Sequence, residues 1–256
     1  MKNKVKKISE LDNNYKIKRI IILSIYFAFA ITSLVLGIVA TIQGDIYNRK
    51  MSAFGTVAIY FIPLLIELIF KKRFSFMQHI FYIIYITLSM FMGSILYMHN
   101  WIEPYDEIMH FIFGYISCLL FFYIFIAWRD YYKQNTFFMV LLLFVLSMGI
   151  ASIWEVLEFT MDVFFNQNSL GYASEEILKQ AEELGLTGIQ LSLYKLQYGV
   201  TVWDTITDMS LHFAGSVLFI IQYLVHRFTK KPLILQALIN EYENHKKAVY
   251  YNSEIL

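Results

Sequence analysis

The chain has 256 residues, of which 58% are hydrophobic and 18% aromatic, with a mean hydropathy of +0.52. Only 16% are charged, against roughly 25% in soluble domains, and the charges fall between apolar stretches of about 20 residues, the length that crosses hydrocarbon as a helix. A net charge of +1 without a continuous basic stripe excludes a nucleic-acid partner, and a single cysteine, Cys118, excludes an intrachain disulfide and a thiolate metal cluster.

In chain order, residues 1–19 form a basic arm carrying Lys2, Lys4, Lys6, Lys7, Lys16, Lys18 and Arg19. The "AFA" at 28–30 imitates a signal-peptide cleavage site, yet the apolar run continues to Ile42 and reads as an uncut anchor helix. Six spans are expected, at about 20–42, 51–70, 79–97, 105–128, 136–159 and 202–225. Their apolar character is continuous, unlike the alternating segments of a spanning barrel. The fold class is therefore all-α, a polytopic membrane protein with six transmembrane helices and one membrane domain over 20–225.

Lysine and arginine in the connections set the orientation. The N-terminal arm, Lys71–Arg73, Arg129 with Lys133, and the "HRFTKK" at 226–231 all fall on one side, which places both termini in the cytoplasm. The outer loop 163–201 contains "SEEILKQAEELG" (174–185), a short surface helix with Ser174 as cap, Ile177, Ala181 and Leu184 on one face, and Gly185 as stop. In the tail 226–256, Ile234, Leu235, Leu238, Ile239 and Tyr242 follow Pro232 at helical spacing, an amphipathic helix for the cytoplasmic interface or for the protein's own loops. Glu67, four residues before Lys71, reads as half of an interfacial ion pair, and His79 and His99 read as interfacial.

This orientation brings three polar segments to one depth at the outer face. "YDEIMHFIFG" (105–114) opens the fourth span, "SIWEVLEFTMD" (152–162) closes the fifth, and "VWDTITDMSLHFAG" (202–215) opens the sixth. Asp106 and His110 share a helix face; so do Glu155, Glu158 and Asp162, and so do Asp204, Asp208 and His212. With the sixth span entering near Val202, Asp208 lies about 9 Å and His212 about 15 Å down at 1.5 Å per residue. An acid at mid-span costs about 2.5–3.5 kcal/mol on insertion scales, so such groups face one another or a wet cavity. Asp106–Phe111 and Asp208–Phe213 also repeat the pattern D-x-x-x-H-F, presenting two Asp–His pairs.

Mixed carboxylates and imidazoles at four-residue spacing suit Zn, Mn or Fe, with Asp106, His110, Asp208 and His212 as ligands. Glu155 and Glu158 are further ligands or a catalytic base acting on a polarised water. Asp204, Asp162, Trp154 and Trp203 are further pocket candidates, although Asp106 and Asp204 also suit helix N-termini, Asp162 also fits a surface loop and the tryptophans an aromatic belt. A proton- or cation-coupled transporter and a non-catalytic scaffold are the competing readings. Against the transporter, no comparable polar stripe continues to the cytoplasmic side.

"YDEIMHFIFG", "WEVLEF" and "WDTITDMSLHFAG" resemble the YjdF-like bacterial membrane proteins, with an outer D-x-x-x-H, a glutamate in the next span and a W-D-x-x-x-D-M stretch in the last. More loosely, Asp208-x-x-x-His212-x-x-Gly215 is similar to the D-x-x-x-N-x-x-G of VanZ-like proteins, with His212 in place of the asparagine. The resemblance covers about residues 95–220 and implies a multi-pass protein of the bacterial plasma membrane. The expected function is a metal-dependent hydrolase or transferase acting on a lipid or lipid-linked envelope substrate.

Overall fold

The computed structural model describes residues 2–44, 49–71, 73–102, 104–128, 134–165, 175–198 and 201–229, with scattered positions between 235 and 243. Six helices are long and apolar enough to cross a membrane: Lys16–Ile42, Arg49–Phe70, Phe76–Ile95, Tyr105–Ile126, Thr136–Phe164 and Val202–Thr229. No strand occurs among the described residues. The chain divides into two compact units, one of Met1–Ile102, Ile126–Trp128 and Ile221–Leu256, the other of Glu103–Phe125 and Arg129–Ile220.

In the first unit, α1 (Lys2–Ile42) buries Ile22, Tyr26, Ala30, Ser33 and Ala40, a stripe at three- and four-residue spacing, and leaves Ile20, Phe27, Ile31, Val35 and Ile42 exposed. One stripe meets protein and the rest suits lipid. The second span is broken into α2 (Arg49–Tyr60) and α3 (Ile62–Phe70). Pro63 causes this: it has no N–H for the Ile59 carbonyl four residues back, and its ring crowds that carbonyl. The Tyr82 hydroxyl takes the vacant place, donating to Ile59 O at 2.6 Å, which meets the demand that every backbone group in hydrocarbon find a partner.

The third span starts with a capping box, in which Ser75 Oγ accepts from Gln78 N and Gln78 Oε1 from Ser75 N, and runs through α4 (Phe76–Ile86) into a π-helical segment, Thr87–Ile95. The wider turns end where Tyr97 adopts φ 60°, ahead of the single turn α5 (Met98–Trp101). Arg49 lies over the Tyr97 ring at 4.2 Å, a cation–π contact tying the start of the second span to the end of the third.

Beside the core of Ile22, Tyr26, Tyr60, Ile83 and Ile86 lies a closed ionic network. Arg19 Nη2 donates to Glu67 Oε2 at 2.6 Å and Nη1 to Oε1 at 3.2 Å, Phe74 N donates to Oε1 at 2.7 Å, and His79 Nε2 sits 3.0 Å from Oε1. His79 Nδ1 is in turn 3.0 Å from the Tyr26 hydroxyl. This corrects two expectations: Glu67 pairs with Arg19 and His79 rather than standing as an interfacial partner of Lys71, and His79, at 2% exposure, is buried. Three spans meet in this network, which spacing within one helix does not disclose.

The second unit holds α6 (Tyr105–Trp128, to Phe125), α7 (Thr136–Phe165), α8 (Glu175–Glu183), α9 (Ile189–Tyr198) and α10 (Thr201–Thr229, to Ile220). Helix α8 is the expected loop helix, stopped at Gly185 with φ +65°, where a left-handed residue closes a C-terminus. Ala181 is buried but Leu184 is exposed, because the chain has left the helix by that residue. Ser174 lies outside the described residues. Helix α9, which packs against α7 and α8, was unexpected; its sequence mixes polar and apolar residues without a clear cap. Most of the tail lies outside the described residues, but Leu235 and Ile239 within it are buried.

Candidate metal centre

Helices α6 and α10 bring the two D-x-x-x-H-F stretches together by touching backbone to backbone. A Cβ on Gly114 would collide with the His212 carbonyl, and a Cβ on Gly215 with the Phe111 carbonyl. Only glycine permits this approach, the small-residue contact by which membrane helices pack.

Immediately above this contact, His110 Nε2 lies 3.8 Å from Asp106 Oδ1 and 3.6 Å from Asp208 Oδ2. Both separations exceed a hydrogen bond. They suit ligands of one ion, since donors about 2.0–2.2 Å from a metal stand roughly 3.3–3.6 Å apart at a tetrahedral angle and farther at wider ones. Helix α7 completes a second group: donor atoms of Glu155, Glu158 and Asp208 lie within 4.8 Å of one another, as do those of Asp106, His110 and Asp208. Asp208 belongs to both. Its side chain is 4% exposed, against 43% for Asp106, so the cluster opens toward the N-terminal ends of α6 and α10 and closes below.

Three buried atoms of this region have no hydrogen-bond partner among the described residues: Glu155 Oε2, Glu158 Oε2 and His212 Nδ1. The other Glu158 oxygen is held by Trp154, whose Nε1 donates to Oε1 at 2.9 Å, while the Trp154 ring packs edge-on to Phe113. No lysine or arginine occurs anywhere in α6 or α7, and α10 has only Arg227 in its last turn. To the two donor groups these helices supply four carboxylates, Asp106, Glu155, Glu158 and Asp208, and no lysine or arginine.

His212 is fully buried one turn beneath Asp208 and outside both groups. Its Nε2 lies 2.9 Å from Ser147 Oγ, and Phe113 packs edge-on against its ring at 5.0 Å. Ser147 Oγ lies within hydrogen-bond distance of the Ser117 and Ser216 hydroxyls, and all three hydroxyls lie within that distance of the Gly114 carbonyl. Three helices thus converge on one carbonyl and one imidazole. Sequence reasoning passed over these serines; the available signal was the placing of Ser117 and Ser216 close behind Gly114 and Gly215.

The remaining candidates separate. Asp204 is half-buried on the Asp208 stripe. Asp162 is not surface loop but a buried residue of α7, 4% exposed, whose charge acts on Lys195 of α9. Burial holds the Lys195 ammonium below the usual lysine range, and Asp162 opposes that shift. Trp203 is 76% exposed and walls nothing: one residue before Asp204, it is turned about 100° from the acidic stripe.

The family described as Predicted membrane protein (DUF2238) matches residues 21–228, a range that contains every residue of this cluster. The chain belongs to the DUF2238 family. The YjdF-like resemblance and this family are the same grouping, so the chain is a multi-pass membrane protein on both counts. The family description names no reaction. No curated protein and no solved structure matched the chain.

Proposed function

We propose that this DUF2238 protein is a divalent-metal-dependent hydrolase or transferase of the bacterial plasma membrane, acting on a lipid or lipid-linked envelope substrate at the outer leaflet. The observation that carries the reading is the spacing around His110, 3.6 Å from Asp208 and 3.8 Å from Asp106: too long for hydrogen bonds, and right for donors converging on one ion. Asp106, His110 and Asp208 bind the metal, and His212 lies one turn beneath them, outside the donor group. The metal, zinc, manganese or iron, supplies Lewis acidity and a polarised water. Glu155 or Glu158 takes the proton of that water and returns it to the leaving group, with Trp154 orienting Glu158.

Support for the substrate class comes from depth and access. The acids lie within helices of membrane-spanning length, and the exposed side of Asp106 gives entry from the helix N-termini, where Val202, Trp203 and Ile206 present an apolar surface suited to lipid. The basic arm and the basic "HRFTKK" support a reading with the termini in the cytoplasm and this opening outside. Protein purified in detergent without chelator is expected to carry zinc, manganese or iron by elemental analysis, and the His110→Ala, Asp208→Ala double variant to carry none. Near-zero metal in both refutes the proposal.

A further inference from the structure

From the arrangement of the two donor groups we infer that the centre holds two divalent cations bridged by the Asp208 carboxylate, one bound by Asp106 and His110 and the other by Glu155 and Glu158. This deepens the metal reading above and rests on it. The two groups share a single residue, Asp208, and a carboxylate has two oxygens with which to serve two ions. Its Oδ2 is the atom 3.6 Å from His110 Nε2, and Oδ1 would serve the glutamate side.

Charge supports a pair over a single ion. The four carboxylates of the two groups sum to −4 when ionised, and the helices that carry them bring no lysine or arginine within reach; one divalent ion leaves half of that charge uncompensated, and two neutralise it. Independently of the acid count, Glu155 Oε2 and Glu158 Oε2 are enclosed atoms lacking a hydrogen-bond donor among the described residues, and the wholly buried His212 has an unpartnered Nδ1 one turn beneath Asp208. Buried polar atoms are normally paired, and a second ion pairs the two glutamate oxygens where no protein donor does.

Two ions about 3.5–4 Å apart clamp the attacking and leaving oxygens of a displacement at phosphorus. The substrate class that follows is a phosphoester or phosphoanhydride at the membrane surface. In hydrolysis, water oxygen forms a bond to phosphorus as the phosphorus–oxygen bond to the leaving group breaks; the water proton is lost to solvent, and the departing oxygen takes one up from solvent.

Manganese is the probe, because oxygen-rich sites with one imidazole accept it and it reports by electron paramagnetic resonance. Metal-stripped full-length protein in detergent, titrated with Mn2+, is expected to bind two ions per chain and to give the broadened spectrum of a spin-coupled pair. The Glu155→Gln, Glu158→Gln variant is expected to bind one ion with an uncoupled six-line spectrum. One uncoupled ion in the unmodified protein overturns the bridged pair and leaves the single-metal reading standing; no ion overturns both. Two ions in the glutamine variant as well overturn the assignment of the second ion to Glu155 and Glu158. The count and coupling in the unmodified protein decide the inference even if that variant does not fold.

Discussion

Glu67 and Asp208 are both acids buried on apolar helices, at 7% and 3% exposure, yet their surroundings differ in kind. Glu67 accepts from both Arg19 nitrogens and the Phe74 amide and lies beside His79. Its charge is answered from within, and the network joins three spans. Asp208 meets His110 at 3.6 Å and shares its space with Asp106, Glu155 and Glu158. The first arrangement is complete without a ligand, whereas the second gathers carboxyl groups on helices that bring no lysine or arginine to them. Burial alone therefore does not separate these two acids; the source of their counter-charge does.

The largest expected effect breaks the complete arrangement. Arg19→Ala strands Glu67 among apolar helices, and removing one partner of a buried pair costs about 3–5 kcal/mol; since Arg19 is 24% exposed, the lower end is expected, about 3 kcal/mol, as earlier unfolding in a denaturing-detergent titration. The opposite sign is expected at Asp208. In chelator, Asp208→Asn removes a repelled charge and leaves the melting temperature unchanged or raised. Adding Mn2+ at about 100 times its dissociation constant stabilises the unmodified protein by about 2.7 kcal/mol, and the asparagine variant gains much less. Equal losses at Arg19 and Asp208 in chelator would erase the contrast between the two regions.

Gly114→Ala tests the contact that assembles the second region. Its methyl group meets the His212 carbonyl, and overpacking of this kind costs about 1–3 kcal/mol, with weaker Mn2+ binding because Asp106 and His110 move with α6. The same substitution at Gly149, whose Cβ position is open, serves as control and is expected to change neither quantity. The smallest effect is Tyr82→Phe, which withdraws the hydroxyl from the Ile59 carbonyl above Pro63 and costs about 1 kcal/mol without altering metal content.

Much of the candidate centre was legible because its signals are local. Asp106 with His110, Glu155 with Glu158, and Asp204 with Asp208 declare a shared face through spacing alone, and mid-span acids stand out against hydrocarbon. Glu67 was read with its neighbour Lys71, while its partner Arg19 lies 48 residues away; of the two readings of Trp203, aromatic belt or pocket wall, its 76% exposure fits the belt. Ser117, Ser147 and Ser216 are unremarkable singly and acquire meaning only where three helices bring their hydroxyls to the Gly114 carbonyl.

What the amino-acid order determined by itself was the set of six spans and the polar stripe on each helix, since hydropathy over about 20 residues and the 3.6-residue turn are properties of a continuous stretch. What the tertiary structure alone decided was which stripes meet: that Arg19 answers Glu67, that glycine contacts bring α6 against α10, and that Asp208 stands at the junction of two donor groups. Charge compensation and metal ligation depend on distances of a few ångströms between side chains remote in sequence, and only packing sets those distances.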